Sequence, residues 1–124
     1  MHKDRLLKLA AHLDTVPKKR FNMDEVVSEN ASTTLCGTRG CAMGHALSIK
    51  SFRKLGLKLN SDGSDVRFKD YDGSYEGAEE LFDTNSLQAA ALFGCSWENK
   101  HRYQSPKSVA ASIRRFVKTN GEKI

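Results

Sequence analysis

The sequence predicts a compact, mostly helical α+β domain with a small antiparallel β-hairpin or three-stranded meander. Apolar residues recur at the three-and-four spacing of buried helix faces near both ends of the chain, and around residue 45 they crowd every side. From residue 57 to residue 68 the pattern changes to apolar–polar alternation broken by Asn, Asp, Ser and Gly, as in short strands joined by a turn. The 124 residues contain no repeat, low-complexity tract or long linker, so residues 1–124 read as a single domain.

The first helix is expected from about Lys3 to Val16. Leu6, Leu9, Ala10 and Leu13 form its buried stripe, Leu7 and Ala11 widen it, and Pro17 ends it. Asn22 and Glu25 are placed to cap a brief turn from Met23 to about Ser28. Thr38 then caps a helix reaching about Lys50, apolar nearly all round and therefore central. Within it Gly40, Gly44 and Ser48 make a narrow stripe of small residues; glycine there costs roughly 1 kcal/mol against alanine, which close backbone packing offsets. Phe52, Leu55 and Leu57 continue the apolar pattern, with Gly56 as a helix stop. Strands are expected at Leu57–Leu59 and Val66–Phe68, with a second turn at Asp72-Gly73 before Tyr75. A short helix follows over Gly77–Phe82, and Asn85 or Ser86 caps another over Leu87–Phe93 that Gly94 ends. The last helix opens with Ser105 and Pro106, buries Val109, Ile113, Phe116 and Val117, wets Arg114, Arg115 and Lys118, and stops at Gly121.

The bulk numbers narrow the partners. A net charge of +5 favours acidic ones, although 15 acidic residues lie among the 20 basic ones. No apolar run approaches the ~20 residues of a membrane span, so no membrane partner is expected. The charged N-terminus lacks the core of a secretory signal. Three cysteines fit reduced thiols better than a disulfide framework, and the expected location is cytoplasmic.

Chemistry concentrates in Leu35-Cys36-Gly37-Thr38-Arg39-Gly40-Cys41-Ala42-Met43-Gly44-His45-Ala46. Cys36, Cys41 and His45 supply thiolate and imidazole, the donors of tetrahedral zinc, with Cys95 or His101 available as a fourth ligand. Against this, no second ligand pair completes a zinc knuckle, and small buried cysteines pack as apolar residues. A nucleophilic Cys41 in a first helical turn, with His45 or His101 as base, is a second reading. A nucleotide held at Gly37–Gly40 is a third. Asp70-Tyr71-Asp72-Gly73 lacks the remaining ligands of a calcium loop and reads as turn chemistry.

The motif Cys36-Gly37-Thr38-x-x-Cys41-Ala42-x-Gly44-His45-Ala46 resembles one found in small phage and bacterial proteins of no assigned activity. Arg5-Leu6-x-x-Leu9-Ala10, Phe21-x-Met23, Phe52-x-x-x-Gly56-Leu57 and Leu92-Phe93-Gly94 accompany it in the same order. The resemblance implies a cytoplasmic, phage-encoded origin and implies nothing about mechanism.

The favoured binding surface is the loop from Cys95 to Gln104, where Trp97 and Tyr103 stand among Lys100, His101 and Arg102. Trp, Tyr and Arg dominate interface hot spots, and aromatics among cations suit single-stranded nucleic acid; the equal alternative turns Trp97 and Tyr103 inward as lids on a small core. Arg114 and Arg115, with Lys107 and Lys118, extend this basic face. The function expected is therefore non-enzymatic binding of an acidic protein or nucleic acid through Trp97, Lys100, His101, Arg102, Tyr103, Arg114 and Arg115. The alternative is a zinc- or thiol-dependent enzyme, or a nucleotide sensor, centred on Cys36, Cys41 and His45. No cofactor is expected apart from zinc in that alternative.

Overall fold

The computed structural model describes residues 1–17, 42–61, 66–72, 74–93 and 105–122. In chain order the elements are α1 (Lys3–Leu13), α2 (Ala42–Ala46), α3 (Lys50–Leu55), β1 (Leu57–Leu59), β2 (Val66–Phe68), β3 (Tyr71–Asp72), α4 (Ser74–Phe82), α5 (Ser86–Phe93) and α6 (Pro106–Lys118). The expected turn at Met23–Ser28, the Thr38 cap and the Gly94 stop lie outside the described residues. The architecture is the α+β one that the periodicity predicts.

Helix α1 is the hub. Its stripe Leu6, Leu9, Ala10 and Leu13 is wholly buried, and the helix packs on α6, α2 and α4. Burying each leucine contributes roughly 1.5–3 kcal/mol, so this one stripe supplies much of the drive to fold. The helix stops earlier than expected, at Leu13. Thr15 N and Val16 N donate to His12 O and Leu13 O, tight turn bonds that unwind the chain before Pro17. Leu7 and Ala11 do not widen the stripe: both are exposed, Leu7 at 41%. Helices α1 and α6 run in opposite directions, since Lys3 Nζ donates to Asn120 Oδ1 (2.6 Å) while Arg114 meets Asp14 at the other end.

The single helix expected up to Lys50 is instead two, α2 and α3, joined by a corner at Leu47–Ile49. All five residues of α2 are buried, as an apolar-all-round pattern requires. On one straight helix Lys50 and Arg53 would stand four and seven positions beyond buried Ala46, on the same inward face. The corner re-aims them. Leu47, Ser48 and Ile49 donate to the carbonyls three residues back, and Ile49 turns extended (φ −87°, ψ 110°). Ile49 O then accepts from Phe52 N and Arg53 N to start α3, while Ile49 and Phe52 point inward. Gly56, at φ 120°, ends α3 as expected. A side chain there is strained by that φ and would meet Lys69 Cγ at 3.2 Å. Leu55, expected to be apolar and inward, lies partly exposed.

The sheet is a three-stranded antiparallel meander, β1-β2-β3, with Leu57 opposite Phe68 and Phe68 opposite Tyr71. The turn between β2 and β3 falls at Lys69-Asp70; Asp72, expected in the second turn, is strand, and Gly73 lies outside the described residues. Lys69 adopts φ 55° there, its N–H donating to Gly56 O and its carbonyl accepting from Arg67 Nε (2.9 Å). With the turn spent early, Tyr71–Asp72 is strand and α4 begins at Ser74. Leu81 and Phe82 of α4 are buried, and the Phe82 ring meets Phe52 edge-on at 5.8 Å. Asn85 is the cap of α5: its Oδ1 accepts from Gln88 N (2.8 Å) and Gln88 Oε1 accepts from Asn85 N (3.0 Å).

Helix α6 follows the expected plan. Ser105 and Ser108 form a reciprocal capping box and Pro106 sits in the first turn. Val109, Ile113 and Phe116 are fully buried, whereas Val117 is only partly so. The stop is shared: Asn120 (φ 55°) and Gly121 (φ 88°) are both left-handed, and Gly121 N closes back on Phe116 O at 2.8 Å.

Candidate functional site

Of the residues singled out from sequence, Cys36, Cys41, Trp97, Lys100, His101, Arg102 and Tyr103 lie outside the described residues. His45, Arg114 and Arg115 lie within them. His45 is 4% exposed, enclosed with Ala42, Met43 and Ala46, and is not without a partner. Among the described residues no three His, Cys, Asp or Glu side chains gather as metal ligands.

The two arginines do not act together. Successive residues on an α-helix are rotated by about 100°, so Arg114 and Arg115 project from different flanks of α6. Arg114 Nη2 is bound to Asp14 Oδ2 at 2.6 Å, fastening α6 to the end of α1. Arg115 is exposed, and so are Lys107 and Lys118, which share the Arg114 flank about two turns before it and one turn after it.

A second basic site was not foreseen. Lys8 of α1 and Ile49, Lys50, Ser51 and Lys54 at the start of α3 line a shallow depression of about 430 Å³. The α2–α3 corner builds it. By turning Lys50 and Lys54 outward, one helical turn apart, it sets both beside the exposed face of α1. Lys8 Nζ donates to Ser51 Oγ at 3.0 Å and joins the two elements. Ile49, nearly buried, is the apolar floor. Arg53 takes no part, because its Nη1 donates to Leu47 O at 2.7 Å and clamps the corner.

Charge is segregated around this depression. From Asn30 to Ser61 the chain has no carboxylate, while Lys50, Arg53, Lys54 and Lys58 are all exposed. Four acidic groups, Glu76, Glu79, Glu80 and Asp83, lie on α4 and at its end, while Asp4 and Asp14 lie on α1 and at its end. No carboxylate among the described residues pairs with Lys8, Lys50 or Lys54. His12, one turn beyond Lys8, is half-buried, and burial lowers its pKa below 6.5, so it adds no charge near neutral pH. The signal in sequence was the acid-free stretch itself, which says where cations lack counter-ions but not that Lys8 faces them.

No protein-family model, curated protein or solved structure matches this chain. The resemblance to small phage and bacterial proteins accordingly rests on the motif residues alone. No helix among the described residues is long and apolar enough to cross a membrane.

Proposed function

We propose that the protein is a non-enzymatic binding module, cytoplasmic and phage-encoded, that engages an acidic macromolecular partner through its basic surface. The observation that carries this reading is the charge segregation. Exposed cations cluster from Lys50 to Lys58 with no carboxylate between Asn30 and Ser61, whereas four acids gather on α4 and its end. Mixed surface charge needs no partner, but a one-sided cationic face repels itself and gains from an anionic one. Arg115, with Lys107 and Lys118, adds exposed cations on α6, directly after the segment holding Trp97, Lys100, His101, Arg102 and Tyr103. Arg114 contributes less, because it already holds Asp14. The test neutralises Lys100, Arg102 and Arg115 together and measures binding of a short oligonucleotide and of polyglutamate at low salt. Weaker binding of either, with folding intact, is expected; unchanged binding of both overturns the role of that loop.

A second reading is a zinc or thiol site at Cys36, Cys41 and His45, favoured by the enclosure of His45 four residues after Cys41 in sequence. Native mass spectrometry decides it. A mass above the denatured chain by one zinc supports the site, and a bare chain with three free thiols removes it.

A further inference from the structure

We propose that the depression between α1 and the start of α3 binds a phosphate group of a nucleic-acid backbone. This rests on the reading of the basic face as the contact for an acidic partner, and names the chemistry of that contact. Three lysines, Lys8, Lys50 and Lys54, line one concavity without a described carboxylate among them. Like charges one turn apart on a helix repel, so the arrangement is costly until an anion enters. Ser51 Oγ accepts from Lys8, which leaves its own hydroxyl proton to donate to a ligand oxygen. The one arginine nearby, Arg53, is turned away to Leu47 O, so the donors left at the depression are compact ammonium groups, which hold phosphate as point charges. Point-charge donors arranged around a pit, with a hydroxyl, suit the tetrahedral oxygens of phosphate.

The test uses the full chain and a short fluorescein-labelled single-stranded DNA, followed by anisotropy from about 50 to about 200 mM salt. K50Q/K54Q is compared with K3Q/K69Q, which removes equal charge at exposed positions outside the depression. The expected result is a roughly tenfold loss of affinity for K50Q/K54Q, with the salt slope flatter by about 1.4, since each phosphate contact on a single strand contributes about 0.7. K3Q/K69Q should stay within about twofold. Equal losses in the two variants would show an effect of net charge and overturn the site. Displacement of the DNA by polyglutamate as readily as by unlabelled oligonucleotide would point to an acidic protein and overturn the choice of phosphate. Inorganic phosphate shifting the Ser51 amide resonance, with no oligonucleotide bound, would overturn the nucleic-acid source. If neither DNA nor polyglutamate binds the wild-type chain at low salt, the acidic-partner reading itself falls.

Discussion

Helix α6 and the α2–α3 corner bury comparable side chains, Ile113 and Phe116 in one, Met43 and Phe52 in the other. They differ in what sets their limits. Thirteen residues of α6 run from a capping box to a closing bond at Gly121, so both ends are satisfied by neighbours in sequence. Helix α3 has six residues, too short to persist in isolation. Ile49, the N-cap of α3, offers no side-chain acceptor. Local chemistry bounds α6, whereas the corner is shaped by what its residues must reach across the fold.

The largest effect should therefore come from cutting a long-range contact at the corner. Phe52 is 1% exposed and packs edge-on against Phe82, so Phe52→Ala should cost about 3–5 kcal/mol in urea unfolding. A loss below about 1 kcal/mol would mean that the corner holds its shape locally, and the contrast with α6 would collapse. Next in size is the cap. Ser105→Ala removes the acceptor for Ser108 N and should cost about 1 kcal/mol, a fall of a few degrees in Tm. If that substitution proves silent, α6 is held by its buried face alone.

The same contrast explains which parts were legible in sequence. The ends of α6 were readable because Ser105, Pro106 and Gly121 act within a few residues of their own positions. The α1 stripe was readable because its period is strong, but its width was not: Leu7 is apolar and still faces solvent, where nothing in the described fold covers it fully. The break at Leu47–Ile49 was hidden because neither Gly nor Pro marks the corner and Ala42 to Ile49 is mostly apolar. It is forced by Lys50 and Arg53 needing solvent, a demand that periodicity in the preceding segment does not reveal. The Lys69-Asp70 turn was missed for a related reason. It lacks the Gly or Asn that marks such turns and is held by Gly56 O and Arg67 instead. The lysine depression needed both the corner and the placement of Lys8 from a distant helix, so composition alone exposed only half of it.

A pH series sharpens the comparison on the face of α1 that carries Lys8. Burial lowers the His12 pKa in the folded state below its ordinary 6.5. The unfolded chain then binds more protons than the native one as pH drops below about 6.5, so stability is full above that value and declines beneath it. The decline stops once pH passes the folded pKa. His12→Gln should flatten that part of the profile in urea titrations from neutral to mildly acidic pH. A wild-type profile with no slope there would show that His12 is solvated after all.

The smallest effect is expected where the contact looks strongest. Arg114 and Asp14 are 2.6 Å apart and tie α6 to α1, yet their side chains remain 45% and 40% exposed. Water screens such a pair, and holding two side chains in one geometry costs entropy. A double-mutant cycle with Arg114→Gln and Asp14→Asn should give a coupling of about 0.2–1 kcal/mol, well below the loss at Phe52. A larger coupling would make the junction of α1 and α6 an electrostatic one, and would take Arg114 out of any partner interface. With the small coupling expected, Arg114 is released from Asp14 at little cost, and an acidic partner approaching the exposed end of α6 can recruit it.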